Sequence, residues 1–352
     1  MSRKIIFIGG IGTKTQFGGE LTKNKEIIKR LKELGYNIVD IDTFGANHSK
    51  FKLFKVASQI MTCVLCYPKI PIIFSSAFNN IYPILKLFYR LGFKRKIIYW
   101  VIGGMFGERV CKNEFDNSIL RMIHTFLVEG RLMQTQLKKA GFDNSIYVPN
   151  FKTIHKVHHR KINTDTICRF VFLSRIMPQK GSDDIFDSAM KLNDLGYENR
   201  YIIDFYGTID REYEIRFHDL LQTHNGINYN GKLDLNNEDN YQILAEYDYM
   251  LFPTHWKGEG FPGVVIDAYK SSLPIIGSDW NFNSEFIEDQ HTGIIIKTQD
   301  IDELTTAMRK AIDGIYNQQT LSNNASKQAT IYDTRNVISN ELMTKILNDL
   351  ND

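Results

Sequence analysis

The sequence predicts an α/β protein of two doubly wound halves, each a mainly parallel sheet covered by helices on both faces. Three observations predict it. Strand-length apolar runs alternate with amphipathic segments up to Asn150, the alternation lapses over the polar stretch 151–167, and it starts afresh at Cys168. Alternation of this kind implies parallel strands joined by helical crossovers. The length of 352 residues suits two domains of roughly 100–200 residues each. A composition of 43% hydrophobic and 24% charged residues is ordinary for globular chains and excludes disordered, collagen-like and low-complexity classes.

In the first half KIIFIGG reads as a buried strand. A glycine-bearing loop and a helix follow, the helix showing Ile27, Ile28, Leu31 and Leu34 on one face and ending at Gly35. YNIVDID, PIIFSS, KIIYWVIGG, TFLVEG and SIYVPN read as further strands, and RLMQTQLKKAG as a helix. The stretch from Phe151 has no period and reads as a solvated basic linker. His155, His158 and His159 lie in it without the Cys or carboxylate partners of a metal site.

The second half repeats the alternation. CRFVFLSR, YIIDFYG, INYNG, YMLFPT, PIIGSD and GIIIK read as strands. DDIFDSAMKLNDLG, EYEIRFHDLLQTH, NEDNYQILAEYD and GVVIDAYKSS read as helices. A further helix carries Leu304, Met308, Ala311 and Ile312 and runs out near Gly314. The last one carries Ile338, Leu342, Ile346 and Leu350. The expected domains are 1–160 and 161–330, with 331–352 packing back on the first.

Several classes drop out. No uncharged apolar run reaches the ~18–20 residues of a membrane span. The first residues turn glycine-rich and meet Lys14 with no cleavage pattern, so a first strand, not a signal peptide, is expected. Four cysteines point to a reducing compartment, and Cys63 and Cys66 form a CxxC inside an apolar stretch that reads as packing. A cytoplasmic location follows as an expectation.

Net charge is +3, but residues 1–161 carry 27 Lys and Arg against 10 Asp and Glu, and the remainder carries 16 against 30. A basic first half points to an anionic partner. In IYPILKLFYRLGFKRK, Lys86, Arg90, Lys94, Arg95 and Lys96 interleave with Ile84, Leu85, Leu87, Phe88, Leu91 and Phe93. FKLFKVASQIM repeats the style with Lys50, Lys52 and Lys55. Cations beside apolar residues suit the surface of an anionic membrane, as a peripheral contact at its inner face. No nucleic-acid-binding signature is present.

Gly9, Gly10 and Gly12 follow the first strand, and Asp40 and Asp42 end the second, a faint dinucleotide-binding pattern that lacks the third glycine of GxGxxG. Gly18 and Gly19 open the first helix, where bare amides can receive phosphate oxygens. In FVFLSRIMPQKG, Arg175 and Lys180 share one strand-to-helix loop, and such a pair can neutralise a diphosphate without a metal. In HWKGEGFPGVVIDAYK, Glu259 sits in a glycine-rich loop and Asp267 about two turns into the next helix. Between them Gly260, Phe261, Gly263 and Val264 present amides at a helix N-terminus. Hydroxyl-binding carboxylates on either side of an anion site describe a nucleotide-sugar.

These motifs resemble the family 4 glycosyltransferases of the GT-B fold, two Rossmann-like domains facing a central cleft. The likeness rests on SRIMPQKG, on EGFPGVVID with seven residues between its carboxylates, and on AYKSSLPIIGSD. EGRLMQTQLKKAGFDNSIYVPNF is similar to that family's end of the N-terminal domain. The resemblance implies an acceptor-binding first domain and a nucleotide-sugar-binding second domain. It implies transfer with retention from a nucleotide diphosphate sugar, UDP-linked in expectation, to a glycan or lipid-linked acceptor in surface-polysaccharide assembly, with no cofactor and no metal. Arg175 and Lys180 would grip the diphosphate, Glu259 the donor sugar and Asp267 the ribose. Gly18 and Gly19 would face the phosphates, and Gly231 and Lys232 would meet the base. Two departures stand out: Asp267 replaces a more common Glu, and Gly103 and Gly104 on the acceptor side stand where many members have a histidine. The rival readings are a sugar-nucleotide epimerase of the same fold, a non-catalytic carbohydrate-binding scaffold, and an NAD-dependent oxidoreductase. The last would rest on the glycine loop, Asp40, Asp42 and the Tyr82–Lys86 spacing.

Overall fold

The structure, a computed structural model, describes residues 3–13, 16, 18–159 and 166–348. The chain divides into two compact units, Met1–Thr153 with Tyr332–Asp352, and Ile154–Ile331.

The first unit runs β1 (Lys4–Gly9), α1 (Gly19–Glu33), β2 (Asn37–Asp42), α2 (Lys50–Cys66), β3 (Ile72–Ser76) and α3 (Phe78–Arg90). It continues with β4 (Ile97–Val101), α4 (Phe106–Cys111), α5 (Asn117–Leu120), β5 (Ile123–Val128), α6 (Arg131–Lys139) and β6 (Ser145–Tyr147). Its six strands are parallel in the order β2-β1-β3-β4-β5-β6. The order reverses direction between β1 and β3. Because parallel crossovers are right-handed, α1 falls on one face of the sheet and α2 and α3 on the other. Alternation along each strand feeds both cores. Ile5, Phe7, Ile73, Ile98 and Trp100 pack with Ile27 and Leu31 of α1, while Phe74 meets Phe88 of α3 with ring centroids 6.5 Å apart.

In the second unit β7 (Cys168–Leu173), α7 (Ser182–Asp194), β8 (Tyr201–Tyr206), α8 (Glu214–Thr223) and β9 (Ile227–Tyr229) come first. Then come α9 (Tyr241–Leu244), β10 (Tyr249–Phe252), α10 (Gly263–Lys270), β11 (Ile275–Ser278), α11 (Asn283–Phe286), β12 (Gly293–Ile296), α12 (Ile301–Ile312) and α13 (Gln318–Ile331). The parallel order is β12-β11-β10-β7-β8-β9, so direction reverses between β7 and β10.

Two short helices, α14 (Thr334–Val337) and α15 (Asn340–Asn348), return to the first unit. Ile338, Met343 and Ile346 join the core under α1, and Lys152 bridges Asp333.

The structure departs from the expectations at five places. The unit boundary falls at Thr153/Ile154, not 160/161, because residues after it pack on the second unit: the His158 N–H donates to the Lys270 carbonyl at 2.7 Å. His158 is therefore buried, not part of a solvated linker. The helix expected over NEDNYQILAEYD shrinks to α9, preceded by a single 3₁₀ turn at Glu238–Asn240. A helix the sequence reading did not include, α13, follows Gly314. Its apolar stripe is thin, and it buries the small residues Ser322, Ala325 and Ala329 beside Leu321. The C-terminal helix starts after Ile338, which lies in the break between α14 and α15; Leu350 lies outside the described residues.

Candidate active site

In an open parallel sheet the loops at the carboxyl ends diverge where strand order reverses, leaving a crevice. In the second unit that point lies between β7 and β10. The loop after β7 carries Arg175 and Lys180, and the loop after β10 carries Glu259.

The β7 loop ends in a 3₁₀ turn, Pro178–Lys180, and Gly181 then opens α7 at φ 84°. Gly181 is required there. A Cβ would lie 2.5 Å from the Pro253 carbonyl oxygen, and the left-handed φ is unfavourable for other residues. The close approach lets the His255 N–H donate to the Gln179 carbonyl at 2.9 Å, joining the two loops. Lys180 is thus delivered, buried, to Glu259, with Nζ 2.5 Å from Oε2 and the acid only 7% exposed. The Thr254 hydroxyl donates to the same Oε2 at 3.0 Å. The β10 loop is braced from α11's approach: the Asn281 amide donates to the Glu259 carbonyl at 3.0 Å, and the Trp280 indole to the Trp256 carbonyl at 2.8 Å. Phe261 stacks on Phe286 with centroids 4.0 Å apart.

Arg175 is exposed, its guanidinium 5.9 Å above the Trp256 ring, and no carboxylate pairs with it among the described residues. The loops thus present one uncommitted cation beside a buried cation already matched to an acid. Burial lowers the pKa of the His255 imidazole, which keeps that ring neutral near pH 7.

Helix α10 begins at Gly263, so the amides of Gly260, Phe261, Gly263 and Val264 do lead into it. Asp267 is one turn in, not two, and 2% exposed. Its Oδ1 accepts from the Tyr241 hydroxyl at 2.7 Å. Beneath it Lys270 lies 3.8 Å from the Tyr241 ring centroid and pairs with Glu238 at 2.7 Å, while the His158 ring stacks on Tyr241 with centroids 5.9 Å apart. Gly231, at φ 73°, caps the strand region by accepting from the Gly207 N–H at 2.8 Å, and Lys232 is exposed next to it.

Sequence reasoning missed Thr254, Trp256, Tyr241 and Asn281. Thr254 and Trp256 lie within five residues before Glu259 in the chain, close enough for the sequence to have pointed to them. Tyr241 and Asn281 come from separate elements, and nothing local marks them.

In the first unit Gly18 is the N-cap of α1 and Gly19 its first residue, both exposed. Gly103, at φ 90°, and Gly104 follow β4. Asp42, part of the oxidoreductase pattern, is committed to structure: its Oδ1 accepts from the N–H groups of Ile11, Gly12 and Phe44 at 2.8, 3.2 and 2.9 Å. Burial pushes its carboxyl up, but those three bonds and Lys52 outweigh it and hold the pKa below the ordinary value. Lys86 lies over the Tyr82 ring at 5.5 Å, with the Tyr82 hydroxyl accepting from the Asp116 N–H.

The basic segment divides. Lys86, Arg90 and Lys94 are exposed. Arg95 instead donates to the carbonyls of Val64 and Ile70, closing the end of α2 against the start of β3, and Lys96 donates to the Leu347 carbonyl at 3.2 Å. Both correct the expectation of a free surface charge, since carbonyls in the last turns of α2 and α15 lack intrahelical donors and these side chains supply them. Leu85 and Phe88 belong to the core. What remains outside on the α2–α3 face is Phe51 (81% exposed), Phe54 (75%), Leu53, Leu65, Leu87, Tyr89 and Leu91. No helix among the described residues is long and apolar enough to cross a membrane.

Two parallel six-stranded sheets, each with its own core, define the GT-B class of glycosyltransferase fold. HepE of Anabaena in complex with UDP shares it at a TM-score of 0.72 and 14% identity, over 99% of this chain and 100% of that one. Residues 155–328, just under half of the chain, match the model of the glycosyl transferases group 1. An Escherichia coli UDP-Gal:α-D-GlcNAc-diphosphoundecaprenol α-1,3-galactosyltransferase is 26% identical over 154 residues, 41% of this chain and 36% of that protein. The capsular polysaccharide biosynthesis glycosyltransferase CapM of Staphylococcus aureus is 22% identical over 226 residues, 62% of this chain and 57% of that one. The matches thus span between about a third and three fifths of these relatives' lengths.

Proposed function

We propose that the protein is a retaining glycosyltransferase that moves a sugar from a UDP-sugar to a glycan or lipid-linked acceptor in surface-polysaccharide assembly. The observation that carries this reading is the buried Lys180–Glu259 pair beside exposed Arg175 at the strand-order reversal of the second sheet. The named activities of the relatives, a UDP-galactose transfer and capsule synthesis, agree with it, as does UDP in HepE. They also favour transfer over epimerisation, oxidoreduction or simple sugar binding.

In this mechanism Arg175 and Lys180 hold the diphosphate, with the amides leading into α10 as further donors. Glu259 accepts from hydroxyls of the donor sugar. Asp267, oriented by Tyr241, is the group offered to the ribose, and Gly231 and Lys232 border the base. The bond between anomeric carbon and β-phosphate oxygen breaks through an oxocarbenium-like transition state. The acceptor oxygen bonds to the same face of that carbon, its proton passes to the departing phosphate oxygen, and UDP leaves. Preset cations stabilise the charge growing on that oxygen, and this term needs no metal in the proposal.

The α2–α3 face, with its exposed phenylalanines between Lys50, Lys55, Lys86 and Arg90, would rest on anionic lipid at the cytoplasmic side and bring the protein to a lipid-linked acceptor.

Binding of UDP to the full chain should raise its melting temperature, since a ligand selective for the folded state stabilises it. Arg175→Ala should remove most of that shift and lower turnover about a hundredfold at unchanged Tm without ligand. No shift with any nucleoside diphosphate, or full activity in Arg175→Ala, would refute the reading.

A further inference from the structure

Lys180 and Glu259 are matched to each other in a place that water hardly reaches. Lys180 is 8% exposed and Glu259 7%, Nζ lies 2.5 Å from Oε2, and the Thr254 hydroxyl donates to the same oxygen at 3.0 Å. In the donor reading above both side chains have another task, the lysine on a diphosphate and the acid on sugar hydroxyls. Each task competes with the pair, so a ligand that fills the site has to share or exchange these partners.

The surrounding bonds decide which of the two moves. The acid is fixed through its backbone: the Asn281 amide donates to the Glu259 carbonyl at 3.0 Å, and the Glu259 N–H donates to the Trp256 carbonyl at 3.0 Å. Thr254, fully buried, is held in turn by the Ser278 hydroxyl, which donates to its carbonyl at 2.5 Å. The lysine carries its charge on a flexible four-carbon stem and has three N–H donors. Arg175, exposed on the same loop as Lys180, offers an entering phosphate its first cation. Lys180 can then turn to that phosphate, or give it one of its remaining donors, while Glu259 stays in place.

In both cases the carboxylate works against the phosphate. It competes for one ammonium, and as a second anion within reach of that ammonium it repels the phosphate where screening is poor. A bare nucleoside diphosphate therefore leaves a buried acid short of donors, an unfavourable arrangement. A nucleotide-sugar repairs it, because hydroxyls of the sugar donate to Glu259 as the lysine is drawn off.

We propose that Glu259 lets the site distinguish an intact nucleoside-diphosphate sugar from the spent nucleoside diphosphate. Once the sugar has gone, Lys180 returns to Glu259, the diphosphate loses a cation, and the product leaves. This role rests on the donor reading and adds to it a contest between acid and phosphate for a single lysine.

Calorimetric titration of the full chain tests it with UDP and, separately, with UDP-glucose, UDP-galactose and UDP-N-acetylglucosamine. At least one UDP-sugar should bind the parent about tenfold more tightly than UDP, the scale of a hydrogen bond to a charged group. Glu259→Gln still accepts from Lys180 and Thr254 but carries no charge. It should bind UDP about tenfold more tightly than the parent does and lose the preference for the UDP-sugar, while turnover falls. A damaged fold would not gain affinity for the product. Repeating the substitution on Lys180→Met reads the lysine's part: there the gain should be less than about threefold, since no ammonium is left to contest. Melting temperatures without ligand check that each variant folds, and the first two comparisons decide the matter even if Lys180→Met does not. The inference is overturned if UDP binds the parent as tightly as every UDP-sugar, or if Glu259→Gln binds UDP no better than the parent. It is also overturned if the gain is as large on Lys180→Met, which would mean plain repulsion. A parent that binds neither UDP nor any of the three UDP-sugars overturns the donor reading itself, a result separate from the other three.

Discussion

The two sheets place their crevices by the same rule and fill them with opposite chemistry. At the β1/β3 reversal the side chain reaching inward is an acid, Glu20, which takes up the nearby N–H groups. At the β7/β10 reversal the inward side chain is a base, Lys180, which meets an acid from the neighbouring loop and leaves Arg175 exposed. Strand order decides where a ligand can sit.

The sharpest way to break this contrast is to remove the base. Lys180→Met should lower turnover by about 10²–10³ and also leave Glu259 buried without its partner, costing about 3–5 kcal/mol of stability. Adding Glu259→Leu should restore most of the melting temperature and none of the activity. Recovery of activity in the double variant would mean that the pair serves packing alone. A smaller effect is expected at the outer face of the first unit. Reversing Lys86, Arg90 and Lys94 to Glu should weaken binding to phosphatidylserine-containing vesicles by at least about a hundredfold, since the three lost cations alone contribute about 1 kcal/mol each near the surface. Arg95→Glu should lower the melting temperature instead, since that guanidinium ties down the Val64 and Ile70 carbonyls. Vesicle binding unchanged by the triple reversal would remove the membrane role.

The smallest effect concerns Asp184, in the first turn of α7. Burial, with Asp187 and Asp183 nearby, raises its pKa to about 6 from 3.8. Below pH ~4 the proton is held in folded and unfolded chains alike, and the site costs nothing. As pH rises through 6 the folded chain gives up that proton against the burial, so stability falls. Asp184→Asn should therefore gain about 1–2 kcal/mol at pH 7–8 and nothing below pH 4, read from urea melts at each pH.

Much of this was legible in the sequence because it is local. The loop from Ser174 to Gly181 and the stretch from Glu259 to Asp267 each keep strand, turn, charge and helix start within a dozen residues, so spacing alone suggests a site. Asp267 shows the limit. Its partner Tyr241 lies 26 residues away on α9, a helix too short to leave a periodic signal. Helix α13 was missed for a related reason, since it packs through serine and alanine where a sequence pattern expects larger apolar residues. Arg95 and Lys96 read as surface charges because backbone carbonyls, their partners, leave no trace in a sequence.

The return of α14 and α15 to the first unit has a consequence for synthesis. Ile338, Met343 and Ile346 cover sheet surface whose strands leave the ribosome some two hundred residues earlier. At about 5–20 residues per second, Trp100 and its neighbours wait on the order of ten seconds or more for their cover. The second unit, continuous in the chain, can complete its core during that interval. The N-terminal unit is therefore the later of the two to be finished, and its nascent form keeps that apolar sheet face open to water for longer.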